Sequence, residues 1–249
     1  MENLGIRFIP APTEYWEEDG SSHQTFDPEI VYRAYTFWRY ADDLATMPTV
    51  GELDRATIIG KLWNAVDSRT KLLKRSYNFS KLKTLAGLPR RADDLATMKQ
   101  LGLVRPAMLS ELKAIRNSVE HEDVEAPDLR ECIRYIDMVW YFLRSTDRYA
   151  ENRRMHVDLT PWTPDGLEEK EFISYDYSFP DWEIQVSARL RNTQINTHPA
   201  NDRTEVRCTE IRAVDEGYSY LRGTLVPSSA TQAMYRSYFN PIGAGSHPG

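Results

Sequence analysis

The chain has 249 residues, of which 41% are hydrophobic and 27% charged, at a mean hydropathy of −0.57. This composition excludes disorder throughout and supplies one or two domains with real cores. A net charge of −6 excludes indiscriminate attraction to nucleic acid, though not a local basic surface.

No apolar run reaches the roughly eighteen residues of a membrane helix. The N-terminal segment is acidic where a signal peptide is basic. A cytoplasmic protein without membrane association is therefore expected. Two cysteines, Cys132 and Cys208, are too few for a disulfide framework or a thiolate-rich zinc site.

In chain order, residues 1–26 read as an N-terminal arm, acidic and aromatic around Tyr15, Trp16, Glu17 and Glu18. Asp27-Pro28 is an N-cap followed by a first-turn proline. Behind it Ile30, Ala34, Phe37, Trp38, Ala41 and Leu44 recur at helical spacing until Pro48. A second helix is predicted from about Glu52 into the seventies, with Leu62, Val66 and Leu73 on one stripe. Gly87-Leu88-Pro89 reads as a connector. A third helix runs from Ala107 to about His121 on Leu109, Leu112, Ile115 and Val119. Pro127-Asp128 opens the clearest one, with Leu129, Cys132, Ile133, Ile136, Val139, Trp140 and Leu143 facing a core and an end near Tyr149.

After residue 155 the period changes to 2. Ile173 to Phe179 and Trp182 to Leu190 alternate across Pro180-Asp181, a hairpin pattern. A second pair, about Thr204–Val214 and Tyr218–Val226, meets at Glu216-Gly217 with a bulge expected near Glu210. The expected class is α+β: a helical bundle over residues 27–150, a small antiparallel β domain over 155–240, and a flexible tail at 241–249. The heptapeptide Ala-Asp-Asp-Leu-Ala-Thr-Met occurs at 41–47 and again at 92–98. Without repeated supersecondary units around it, coincidence or a small duplication is the better account.

No phosphate loop, HExxH, nucleophile elbow or calcium loop is present. His23, His156, His198 and His247 lie in turn-like or boundary segments and read as solvated loop residues. Chemistry concentrates instead in Arg116-Asn117-Ser118-Val119-Glu120-His121. Histidine takes the proton of a 2′-hydroxyl near neutral pH. Arginine holds a scissile phosphate and stabilises its developing charge. Asn117 and His121, four apart, share a helix face. Arg116 and His121, five apart, diverge by about 140°. Either the helix bends at the motif or two copies pool their residues. The same residues also have a purely structural account, in which His121 caps a helix C-terminus and Arg116 pairs with Glu120 or a nearby acid.

The stretch from Leu112 through Asp147 resembles the HEPN superfamily. That family's signature is Arg, usually a polar residue such as Asn, then His after four to six residues, ahead of another long helix. Arg116, Asn117 and His121 match the three positions. The resemblance implies a metal-independent endoribonuclease without cofactor that dimerises through its helices into one composite site. Such proteins are commonly toxins or phage-defence effectors. In it His121 would be the acid–base residue, Arg116 the phosphate clamp and Asn117 the orienting polar group. Members silenced by nucleotidyl transfer carry Tyr two residues after the His; Asp123 stands there, so an antitoxin of that kind is not implied, and other antitoxin or regulatory partners stay open. The rival expectation is a catalytically silent scaffold of the same type that binds RNA, a nucleotide or a partner protein.

A second feature is basic. Arg69, Lys71, Lys74, Arg75, Lys81, Lys83, Arg90 and Arg91 fall in a stretch without Asp or Glu, with Tyr77 and Phe79 among them. Arg69, Lys71, Lys74, Arg75, Tyr77, Lys81 and Lys83 make a candidate RNA-binding surface with a stacking aromatic. A solvated face paired with the acidic arm is the alternative. Arginines also stud the predicted strands, among them Arg189, Arg207, Arg212 and Arg222, without pointing to a role.

Overall fold

A computed structural model describes residues 4–12, 16–105, 107–122, 124–161, 171–200 and 202–239. The chain divides into two compact units. One holds residues 25–76 and 92–153 and is helical; the other holds residues 1–24, 77–91 and 154–249 and is built on a sheet.

The helical unit contains α1 (Pro28–Ala45), α2 (Glu52–Ser76), α4 (Asp94–Gln100), α5 (Ala107–His121) and α6 (Leu129–Glu151), while α3 (Phe79–Leu85) belongs to the sheet unit. Asp27 caps α1 by accepting from the Glu29 amide, and Asp128 caps α6 by accepting from Glu131. Val31, Ala34 and Ala41 of α1 share the interior with Ile58, Leu62, Val66 and Leu73 of α2, Leu112 of α5, and Ile136, Val139 and Leu143 of α6. The Trp38 indole donates to the Ile136 carbonyl at 2.9 Å, tying α1 to α6. Ile30 and Ile133, expected in the core, are 54% and 45% exposed, whereas Cys132, Ile136, Val139 and Leu143 of the expected α6 stripe are buried and Val31 joins Ala34 and Ala41 in α1. Arg69 is the unit's buried charge. It is fully enclosed, and its Nη1 donates to Asp147 at 2.9 Å and to the Leu143 carbonyl and Thr146 hydroxyl at 3.1 Å.

Among the described residues the sheet unit has seven strands. These are β1 (Ile6–Pro10), β2 (Trp16–Thr25), β3 (Asn152–Pro161), β4 (Phe172–Ser178), β5 (Glu183–Arg191), β6 (Arg203–Asp215) and β7 (Tyr218–Leu225). Their order is β1-β6-β7-β5-β4-β3-β2. The expected arrangement, a helical bundle followed by a small β domain, is overturned. Strands precede the helices, and where an arm or irregular cover is expected, β1 and β2 supply both edges of the sheet. Ile6 pairs with Arg207 and Pro10 with Arg203 at one edge, while β2 flanks β3 at the other. Residues 77–91 also leave the helical stretch to join this unit.

The β6–β7 turn falls at Glu216-Gly217 as the pattern predicts, and register shifts occur between Cys208 and Glu210 and again near Asp215. The β4–β5 turn is longer than two residues, because Phe179 and Trp182 leave the ladder as well. Trp182 turns inward, and its indole donates to the Tyr77 carbonyl at 2.6 Å. Around it gather Tyr77, Phe179, Tyr235, Tyr238 and Phe239, the last three contributed by α7 (Gln232–Ser237) and the residues after it. This aromatic core holds α3 and α7 on the sheet face formed by Tyr175, Tyr177, Ile184 and Val186. The expected tail at 241–249 lies outside the described residues.

The repeated heptapeptide takes two roles. At 41–47 it ends α1, whereas at 92–98 its first aspartate, Asp93, caps α4 by accepting from Ala96 at 2.7 Å. Context, not sequence, decides between helix end and helix start.

Candidate functional site

Arg116, Asn117 and His121 lie on α5, which stays helical to His121. Beyond it the Glu122 amide still donates to the Ser118 carbonyl at 3.0 Å. The motif therefore lies on regular helix, where Arg116 and His121 point in directions about 140° apart. His121 is exposed in the last turn of the helix. Arg116 is half-buried. It pairs with Glu120 one turn on and donates to the Asn117 side-chain oxygen at 3.2 Å, while its Nε is shut off from solvent without a partner. The Arg116–Glu120 pair, foreseen as the structural account of this arginine, is formed.

Acidic groups crowd the surroundings. The Glu120 carboxylate lies near Gly60 of α2, and Glu125 is held by Arg55 at 2.8 Å. Leu53 and Val124 beside that ion pair's residues in sequence are 83% and 51% exposed. Asp123 lies outside the described residues.

The basic segment does not survive as one surface. Arg69 is buried in its ion pair with Asp147, and Tyr77 is fully enclosed in the aromatic core. Neither can touch RNA. Lys71 pairs with Asp67 at 2.6 Å and Lys74 with Asp94 at 3.0 Å. Arg75, Lys81 and Lys83 retain some exposure, but the stretch is split, with Arg69 to Arg75 in the helical unit and Tyr77 to Lys83 in the sheet unit. The spacing held a warning. Arg69 falls on the stripe of Leu62, Val66 and Leu73, and Tyr77 continues it, which is an interior position rather than a solvated one.

The sequence reading missed a polar chain on β3 and β4. His156 is in a strand, not a loop, and sits between two carboxylates: Nε2 is 2.9 Å from Asp158 and Nδ1 is 2.6 Å from Asp176. Ser174 donates to the other oxygen of Asp158. Partial burial alone would lower the imidazole pKa, but Asp158 and Asp176 outweigh it and hold His156 above its ordinary value. Burial likewise acts to raise Asp158, and the Ser174 hydroxyl and His156 reverse that, leaving it below the usual carboxylate range. Strand alternation around Val157 and Leu159 was the available signal, hidden by the polar residues between them.

This chain gives a pH prediction. A raised folded pKa for His156 supplies stability below about pH 6.5, which is lost as pH rises through the raised value. The lowered pKa of Asp158 works at the acid side, where its contribution disappears as pH falls below the usual carboxylate range. Because the groups are partly exposed, the histidine contribution is below about 1 kcal/mol. Denaturant midpoints at about pH 6 and about pH 8.5 should fall more for the wild type than for His156→Gln. Equal falls would show that the imidazole carries no linkage.

Among the described residues, no helix is long and apolar enough to cross a membrane, and no three His, Cys, Asp or Glu side chains group to hold a metal ion. Comparison with protein-family models, curated proteins and solved structures finds no match to this chain, so the likeness to HEPN proteins rests on its own residues.

Proposed function

We propose that the chain is a metal-independent endoribonuclease of HEPN-type chemistry, of the toxin or phage-defence kind, whose site is completed by a second copy. The observation that carries this reading is α5 itself: a half-buried arginine and an exposed histidine lie in its last turns, on helix too regular to aim both at one phosphate. A two-fold axis beside α5 would place the Arg116 of one copy near the His121 of the other, and such two-fold pairing is the commonest oligomeric arrangement.

In that cleft His121 takes the proton of a 2′-hydroxyl. The 2′-oxygen attacks the adjacent phosphorus, the bond to the 5′-oxygen breaks, and that oxygen receives a proton from a second acid, the other copy's His121 or water. Arg116 balances the charge on the phosphorane oxygens. To do so it must leave Glu120. An exposed i,i+4 ion pair contributes only about 0.3–0.5 kcal/mol, so phosphate can displace the carboxylate at small cost.

A silent RNA- or protein-binding scaffold is the second reading. It is favoured by the same Arg116–Glu120 pair, which fills the guanidinium with an internal acid. The two separate in one dilution series. Purified chain should cut RNA with a specific activity that falls as dimer gives way to monomer in parallel sedimentation runs. Undiminished cleavage by a strict monomer would refute the shared site, and RNA left intact at all concentrations would favour the scaffold.

A further inference from the structure

The sheet unit contains a cavity of about 290 Å³ at the end of the sheet where α3, the β4–β5 turn, β6 and the end of β7 meet. We propose that it binds one nucleotide, as a nucleoside 5′-monophosphate or as the phosphorylated end of an RNA strand. The inference is independent of the RNA-cleaving site on α5.

Three observations define the ligand. First, Lys81 and Arg207 both line the cavity, and neither side chain has an acidic partner among the described residues. Other cations of this unit are held by carboxylates, as Arg189 is by Asp215, Arg191 by Glu171 and Arg154 by Glu18. Two unpaired cations opening on one hollow suit a single phosphate.

Second, the interior is apolar. Leu85, Leu225, Val226 and Pro227 line it, above the buried rings of Trp182 and Tyr235. A flat base removed from water against these side chains gains hydrophobic free energy that phosphate alone cannot.

Third, Asp181 and Glu183 also line the cavity. Their carboxylates accept hydrogen bonds from ribose hydroxyls or exocyclic amines. They also leave the lining without net charge, two cations against two anions, so a monophosphate is favoured over the more heavily charged triphosphate. The volume lies at the small end of ligand sites, which suits one nucleotide rather than several.

Calorimetric titration of the full chain tests this, using the four nucleoside 5′-monophosphates, a nucleoside, inorganic phosphate, a nucleoside triphosphate and a 5′-phosphorylated oligoribonucleotide carrying 2′-O-methyl groups to block cleavage. At least one monophosphate or the oligonucleotide should bind with sub-millimolar affinity. Lys81→Ala and Arg207→Ala should each weaken it by about tenfold, the loss of one charge-assisted hydrogen bond. Both positions are exposed, so the thermal midpoints should not move. Binding of the free nucleotide alone identifies a metabolite site, and equal or tighter binding of the oligonucleotide identifies an RNA-end site. No binding up to about 5 mM, affinity unchanged in both variants, or inorganic phosphate binding as tightly as any nucleotide would overturn the proposal.

Discussion

Arg69→Met is expected to destabilise the helical unit by about 3–5 kcal/mol, the cost of stranding a buried charge. Arg69 is fully enclosed, while the Asp147 side chain retains 13% exposure, and the two meet at 2.9 Å. Removing the guanidinium leaves the carboxylate facing only the Tyr35 hydroxyl at 2.8 Å and the more exposed Arg144 at 3.3 Å. It also removes the Arg69 donor from the Thr146 hydroxyl and from the Leu143 carbonyl, which keeps the Thr146 hydroxyl at 3.0 Å. Asp147→Leu alone should cost a similar amount, because Arg69 is then the unpaired ion. The double variant should be more stable than either single one, since no buried charge remains. Urea unfolding followed by the helical signal checks all three. Tyr35 supplies a second readout: burial and then its bond to Asp147 push its pKa up to about 12. Asp147→Leu should bring the Tyr35 titration down toward the ordinary phenol value. A double variant as unstable as the sum of its parents would contradict this account.

The largest functional effects are expected on α5. Arg116→Ala and His121→Ala should each reduce RNA cleavage by about a thousandfold or more, in the range seen when one member of a cooperating catalytic set is removed. In the proposed mechanism both act on one transition state, so the double variant should be little worse than either single variant. Stability should hardly change for His121→Ala, since His121 is exposed, and should fall slightly for Arg116→Ala, since the half-buried Arg116 loses its pair with Glu120. Glu120→Gln should move the other way. It releases Arg116 from its carboxylate and should tighten RNA binding by about twofold, the energy of an exposed ion pair read as affinity. Weaker RNA binding in Glu120→Gln would mean that the carboxylate positions the arginine rather than occupying it.

How far the fold could be read depended on sequence separation. Helices α1 and α6 were legible because Asp27-Pro28 and Pro127-Asp128 mark their starts and their stripes lie within a few turns. The β6–β7 hairpin and its bulge were legible for the same reason. Strands β1 and β2 were not. Ile6–Pro10 finds its partner about two hundred residues away in Arg203–Arg207, and no local period announces such a pairing. Helix α3 is hidden in the sequence by Lys81 and Lys83, which stand among its apolar residues. Phe79, Leu82 and Leu85 repeat at three residues and are all buried. At the candidate site the residue types and helical placement were legible, and so was the Arg116–Glu120 pair. The cavity was not, since Lys81 and Arg207 come from elements far apart in sequence. The carboxylate-clamped His156 was equally hidden, because its partners are set by β3–β4 register, His156 opposite Asp176 and Asp158 opposite Ser174.

The central claim is that Arg116 and His121 cut RNA by 2′-hydroxyl attack. Mapping the ends produced when the purified chain digests a labelled RNA in excess EDTA tests it most directly. The account predicts 2′,3′-cyclic phosphate and 5′-hydroxyl ends, undiminished by the chelator and missing from a parallel His121→Ala digest. Ends carrying 5′-phosphate and 3′-hydroxyl, or cleavage that persists unchanged in His121→Ala, would contradict it.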